Sequence, residues 1–236
     1  MEDRLWSALN RKHGVFRDDP SSWKVPPGSG LQPLRTHAVF EPIGGAALYA
    51  ALDGLIGQGR WKEPKHWGQF LVTFPVAEGT VWAANVGWHT DFPYFLPVDR
   101  LVGALVFSFI GQVPPKTGAT LVIAGSHKIV GRFIDSKPHL RKLKMKVARL
   151  ALMSSDPWLT DLCTKTDEDD WAGRLLGREH TVGGVDARVV ELTGEPGDIV
   201  IGHPWLLHTP TPNLGDRPRF MRVQRITPSA YDGNNG

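Results

Sequence analysis

The tripeptide His89-Thr90-Asp91 brings together side chains that can do chemistry. On an extended backbone successive side chains alternate faces, so an imidazole and a carboxylate two residues apart point the same way and can share one cation. Such a pair supplies two thirds of a 2-His-1-carboxylate facial triad, the ligand set that leaves positions open on Fe(II) for a co-substrate and oxygen. An isolated H-x-D is common in any set of sequences, and as two exposed residues it would bind nothing. The reading therefore depends on a third ligand and on a place for a co-substrate.

Two histidines far downstream, His203 and His208, are available for the third position. His203 precedes Pro204, which has no N–H to give a ladder and tends to end a strand, so His203 reads as support. His208 lies too far from His89 to share a helix with it, but such a separation is natural where two strands meet at one end of a barrel. Arg217-Pro218-Arg219-Phe220 then opens a further strand, and a guanidinium can grip a carboxylate through two parallel hydrogen bonds. Read alone, each arginine is a surface charge. Ser108 interrupts the apolar run Val106-Phe107-Ser108-Phe109-Ile110. A hydroxyl in such a strand must find a backbone partner or a ligand.

The elements that position these residues are mainly extended. β-branched and aromatic runs at 70–74, 80–88, 101–112, 119–123, 187–192, 198–203 and 220–226 are punctuated by Pro and Gly, as strands are. Residues 36–40 add a possible strand, and helices are expected at 7–12 and 42–57. Three more helices fall between the strands. In one, at 138–152, Leu140, Leu143, Val147 and Leu150 recur at helical spacing with Lys and Arg on the other faces, predicting that the four apolar residues are buried. Asp156-Pro157 starts the next as cap and first-turn proline, and Thr166 heads the third. The acidic run 167–170 suits a helix's first turn better than a cation site.

The pattern predicts a mainly β domain of sandwich or barrel type spanning 1–236. It has an N-terminal arm with helices at 1–68, strands at 69–134 and 187–227, and a helical insertion at 135–186 that would form a lid over a cavity. The 236 residues fit one such domain. No apolar run is long enough for a bilayer, and the N-terminus lacks the signature of a signal peptide, so a cytoplasmic protein without a membrane partner is expected. Net charge is +3, without basic blocks, which argues against nucleic acid. Cys163 is the single cysteine, so neither an internal disulfide nor a cysteine zinc knuckle can form. No glycine-rich phosphate loop is present.

Three segments together resemble the phytanoyl-CoA dioxygenase family of Fe(II)/2-oxoglutarate oxygenases. They are His89 to Phe95, then Gly118 to Lys128, then His203 to His208 continuing through Asn213 to Arg219. The resemblance covers roughly 69–226 and implies a double-stranded β-helix, the cupin-like jelly roll. It implies iron held by His89, Asp91 and His208, with Arg219 binding the distal carboxylate of 2-oxoglutarate and Ser108 and Thr120 as polar contacts to that co-substrate. Oxidation of a small molecule by O2, most simply hydroxylation with release of succinate and CO2, follows from the same resemblance. The presence of Asp91 speaks against halogenation, which needs that carboxylate absent.

Two positions depart from the family pattern. Ala124 replaces the usual proline before Gly125-Ser126-His127, and Pro210 stands where a serine commonly helps hold the co-substrate, leaving Thr209 or Thr211 to supply a hydroxyl. Ser126 and His127 make no nucleophile and base, because adjacent side chains face apart and no G-x-S-x-G surrounds them. A non-oxygenase metal-dependent cupin and a non-catalytic jelly-roll binding protein stand as alternatives. The primary substrate is not specified by any motif. The basic residues of 138–152 would suit an anionic coenzyme A thioester only if they collect charge, rather than simply solvating the helix.

Overall fold

Side-chain alternation gives strand β2 (Ala104–Phe109) two apolar faces, and all six of its residues are buried. The computed structural model, which describes residues 1–25, 29–84, 87–94, 96, 101–164 and 170–229, shows what covers each face. Ala104 and Val106 join a cluster with Leu5, Leu9, Leu48 and Leu52 of the helices α1 (Glu2–His13) and α2 (Ala46–Ile56). Leu105, Phe107 and Phe109 belong to a second cluster on the opposite side.

Among the described residues two four-stranded sheets build the domain, and every pairing between their strands is antiparallel. The other strands are β1 (Gln69–Thr73), β3 (Thr120–Ala124), β4 (Glu179–Val182), β5 (Val185–Leu192), β6 (Ile199–Gly202), β7 (His208–Pro210) and β8 (Arg219–Ile226). One sheet has the order β1-β8-β2-β6 and the other β4-β5-β3-β7, so nearly all neighbours are distant in sequence. The first sheet's outer face is closed by the N-terminal arm: Trp6 packs edge-on to Phe220 at 5.5 Å, and Phe40 to Phe70 at 5.0 Å. No single helix among the described residues is long and apolar enough to cross a membrane.

The helical insertion consists of α3 (Ser126–Ser136), a 3-10 segment Pro138–Lys142, α4 (Met145–Met153), α5 (Pro157–Leu162) and α6 (Trp171–Leu175). Asp156 caps α5 by accepting from the N–H groups of Trp158 and Leu159, as Asp-Pro predicts. Asp170 caps α6 through Gly173 N–H at 2.7 Å. Thr166 and the acidic residues 167–169 lie outside the described residues.

Four local expectations need correction. Residues 36–40 form no strand: Gln32–Thr36 and Ala38–Gly44 are 3-10 turns, whose three-residue repeat buries both Phe40 and Ile43. Described residues of 80–88 are also outside any strand, since Thr80 folds back on Ala77 O and Trp82 and Trp88 anchor by burial instead of by a ladder. The hairpin β4–β5 occupies the end of the supposed helical insertion, turning at Gly183 and Gly184 with φ of 54° and 74°. Two consecutive positive φ values are what a two-residue hairpin turn of the I′ type demands. Finally, α4 begins only at Met145, and it buries Ala148, Leu152 and Met153, leaving Leu143, Val147 and Leu150 about half exposed.

Candidate metal and co-substrate site

His89 sits opposite His208 across a two-hydrogen-bond bridge, each N–H donating to the other residue's carbonyl at 3.0 and 2.9 Å. His89 thus extends the second sheet beyond β7, and the pairing brings the two imidazoles side by side with centroids 4.2 Å apart. Asp91 Oδ1 lies 3.6 Å from His89 Nε2 and 4.0 Å from His208 Nε2. Trp88 and Thr90 are buried on the other side, so the alternation expected of a strand holds around a single bridge.

Each histidine is oriented by its own segment. The Nδ1 of His89 lies 2.6 Å from Gly87 O, and that of His208 lies 2.9 Å from Leu206 O. Only a protonated nitrogen can bond a carbonyl, so each Nδ1 donates and each Nε2 keeps a lone pair for a metal. Burial, followed by the neighbouring His89, holds the His208 imidazole below its ordinary pKa. That favours the neutral ring, which is the form that binds metal. Ser126, fully buried, accepts from Leu207 N–H at 2.9 Å and so fixes the backbone that presents His208.

The ligand atoms of His89, Asp91 and His208 lie within 4.8 Å of one another. Their cavity has a volume of about 670 Å³ and also exposes Thr120, Pro210 and Arg219. Arg219 is buried, pairs in register with Thr73, and donates to Thr73 Oγ1 at 2.6 Å and more weakly to Leu71 O at 3.4 Å. Its Nε has no partner among the described residues, and no described carboxylate lies within ion-pair reach. Burial pushes its pKa down to about 10, so it remains cationic at neutral pH. A buried unpaired cation is costly, and an anion entering the cavity would complete it.

The family described as phytanoyl-CoA dioxygenase (PhyH) matches residues 9–221. The chain belongs to this family. Members are oxygenases that depend on Fe(II), 2-oxoglutarate and O2, and this phytanoyl-CoA dioxygenase relative carries a donor set that fits them. Two imidazoles and one carboxylate suit Fe(II), and Arg219 is a cation in the same cavity with no counter-ion among the described residues.

No curated protein sequence matches the chain. Similar solved structures include EvdMO1, at 14% identity and a TM-score of 0.45 over 80% of this chain and 32% of that one. The non-heme monooxygenase ThoJ aligns at 16% identity and 0.44, over 96% and 70%. The epimerase SnoN, described as non-heme, α-ketoglutarate dependent and from nogalamycin biosynthesis, aligns at 15% and 0.42, over 79% and 56%. The chain thus spans only about a third of EvdMO1 and just over half of SnoN.

Other expected contacts fall elsewhere. Ser108 shares a face of β2 with Ala104 and Val106, away from cavity-lining Phe107, and borders a separate hollow beside α1 with Met1, Glu2 and Ile43. Its assignment to 2-oxoglutarate is therefore corrected: strand alternation turns it away from the metal. Thr209 alternates away from the cavity that His208 and Pro210 line, and Thr211 donates to Ala119 O at 2.8 Å, so neither lines the wall at Pro210. The hydroxyl that meets the arginine is that of Thr73. His203 is outside the ligand group; its Nδ1 accepts from Trp205 N–H at 3.0 Å and its ring stacks on His127 at 4.7 Å.

Sequence reasoning missed three positioning groups. Asn213 donates to Thr73 O and Arg217 O and accepts from Gly215 N–H, clamping the turn that delivers Arg219 to β8. Its place in an N-x-G turn is the signal that would have found it. Thr73 ends β1 and carries no signal of its own. Arg141 donates to Tyr94 O and Leu96 O, holding the segment after Asp91. No described residue of the helical insertion lines the cavity, so the expected lid is instead a buttress against one side of the second sheet and the Asp91 segment.

Proposed function

We propose that the chain oxidises a small molecule with O2 as an Fe(II)- and 2-oxoglutarate-dependent dioxygenase, hydroxylating an unactivated carbon and releasing succinate and CO2. The observation that carries this is one cavity holding the His89, Asp91 and His208 ligand atoms together with the Arg219 cation, which has no carboxylate partner among the described residues. The two antiparallel sheets around that cavity support a double-stranded β-helix, with the site at one end of the roll.

His89 Nε2, Asp91 Oδ1 and His208 Nε2 would hold the iron, and the carbonyls of Gly87 and Leu206 keep both rings in the binding tautomer. Arg219, steered by Thr73, would receive the distal carboxylate of 2-oxoglutarate. Thr120 makes no hydrogen bond with a described residue and turns into the same cavity, where its hydroxyl is free for the co-substrate. Phe107 stands edge-on to His208 at 5.7 Å and, with Leu71, keeps that wall apolar, which limits water near the reacting atoms. Bound together, Fe(II) and 2-oxoglutarate supply the oxidising power, and the protein's task is position and exclusion. Asp91 also argues for oxygen transfer over halogenation, because its carboxylate takes the position a halide would need.

The test is the conversion of 2-oxoglutarate to succinate by purified protein with Fe(II) and O2. Succinate formation that requires both is expected. Its absence in iron-loaded protein that binds 2-oxoglutarate, across a broad panel of small molecules, would instead favour a non-oxygenase cupin.

A further inference from the structure

The wall of the cavity away from Arg219 carries a second polar set, Arg35, His66, Gln69, Gln224 and Arg225. Arg225 donates only a long 3.4 Å bond to Asp91 O, which places its guanidinium beside the metal-ligand segment. Arg35 gives its backbone carbonyl to Arg222, and no hydrogen bond from its guanidinium to a described residue is formed. Neither has a described carboxylate within ion-pair reach. His66 feels the Arg35 and Arg222 charges: burial first, and those cations second, lower its pKa, so it offers this wall a neutral ring.

Charge balance gives these groups a meaning, on the reading that the site holds Fe(II) and 2-oxoglutarate. Asp91 is the one carboxylate among the lining residues, and with the two carboxylates of 2-oxoglutarate it offsets Fe(II) and Arg219. Arg35 and Arg225 are left over, two cations at the open side of a site whose internal charges are already matched. Gln69 lines the same wall with an amide donor of the kind that completes oxyanion recognition, and Gln224, which donates one N–H to Arg225 O at 2.7 Å, has a second to give. Both arginines are exposed, so water solvates them when the site is empty; an oxyanion is drawn in by their long-range attraction and then held by forked donors, and a neutral substrate gains neither.

We infer that the primary substrate is a small organic oxyanion, a carboxylic acid or a phosphate ester, whose charged group is held by Arg35 and Arg225 while the rest of the molecule extends toward His89 and Asp91. The basic helix α4 has no part in this, because none of its residues lines the cavity.

The test is calorimetric titration of anaerobic protein loaded with Fe(II) and saturating 2-oxoglutarate, at constant ionic strength. The probes are propionate, inorganic phosphate and the neutral isostere propionamide. Saturable binding of propionate or phosphate is expected, with propionamide at least about tenfold weaker, and the R35A/R225A double variant should lose that preference while still binding 2-oxoglutarate. Binding of propionate alone identifies a carboxylic acid, and binding of phosphate alone identifies a phosphate ester. Equal binding of all three probes, or wild-type anion binding by the double variant, overturns the inference alone. Loss of 2-oxoglutarate binding in the double variant overturns it too, because these arginines would then serve the co-substrate. Failure of wild-type protein to bind 2-oxoglutarate at all overturns the underlying reading and the inference with it.

Discussion

The two ends of the cavity are built on different principles. At the metal end, the contacts that turn each ring are local, His89 on Gly87 O and His208 on Leu206 O, with Asp91 two residues after His89, while one backbone bridge between His89 and His208 brings the two segments together. At the arginine end the contact that aims the side chain is long-range. Arg219 is aimed by Thr73, across the β1–β8 pairing, and its turn is clamped by Asn213 reaching back to the same strand. A ring turned by its own neighbour keeps its tautomer whatever happens elsewhere in the chain, whereas a side chain aimed across a strand pair depends on the register of that sheet.

The largest effect should come from breaking the metal end. Asp91→Ala removes the only carboxylate of the ligand set, and metal content by mass spectrometry should fall to background. The side chain is one-fifth exposed and makes no structural hydrogen bond with a described residue, so the melting temperature should record a loss of about 1 kcal/mol at most. Wild-type iron occupancy in Asp91→Ala would remove the triad and leave only the arginine end to explain.

Breaking the other end should spare the metal. If Arg219 receives the co-substrate as proposed, Arg219→Ala should leave that carboxylate without its partner, at a cost of about 2–5 kcal/mol in 2-oxoglutarate affinity, with iron still bound. Arg217, exposed two residues earlier, should change little when replaced by Ala. The reverse ranking in 2-oxoglutarate titrations would mean that β8 is displaced by two residues against β1.

This contrast also explains what could be read in the sequence. His89, Asp91 and His208 were legible because period-two alternation and a family resemblance both act on short segments. Arg219 was legible only through the resemblance, and its partner Thr73 not at all, since strand pairing between residues so far apart leaves no local pattern. Ser108 shows the limit from the other side: its oddity in an apolar run was visible, but whether even or odd positions of β2 face the metal depends on sheet packing. The Leu143, Val147 and Leu150 stripe misled for a related reason. Its spacing was helical, yet the chain breaks after Leu143, and α4 is turned so that Ala148, Leu152 and Met153 meet the core while Val147 and Leu150 share its exposed face. The Gly183-Gly184 turn, by contrast, is a plain local signal between Val182 and Val185, and it marks a hairpin inside the stretch expected to be helical.

A smaller effect is expected at Ser126. Its hydroxyl satisfies the buried N–H of Leu207, so Ser126→Ala leaves that donor without a partner, at about 1–3 kcal/mol of stability. Because Leu207 precedes His208, iron affinity should weaken together with the melting temperature. Unchanged iron affinity in a destabilised Ser126→Ala protein would show that the His208 ring is held by Leu206 O alone.

The smallest expected effect tests whether His203 belongs to the metal end at all. Burial, with His127 stacked beside it, pushes its pKa down to about 4 from an ordinary 6.5. The folded protein therefore keeps His203 neutral across a range in which the unfolded chain takes up a proton, and uptake by the unfolded state alone favours unfolding. The stability this neutral ring contributes is present above about pH 6.5 and is lost progressively as pH falls toward 4. His203→Asn retains an acceptor for Trp205 N–H and removes the titration, so its stability should fall less steeply than wild type between those pH values. Urea denaturation of both proteins along that range reads the difference in slope, while iron content at pH 7.5 should be the same in both. Parallel slopes would place the acid sensitivity in other groups, and loss of iron from His203→Asn would return this histidine to the metal end from which its geometry separates it.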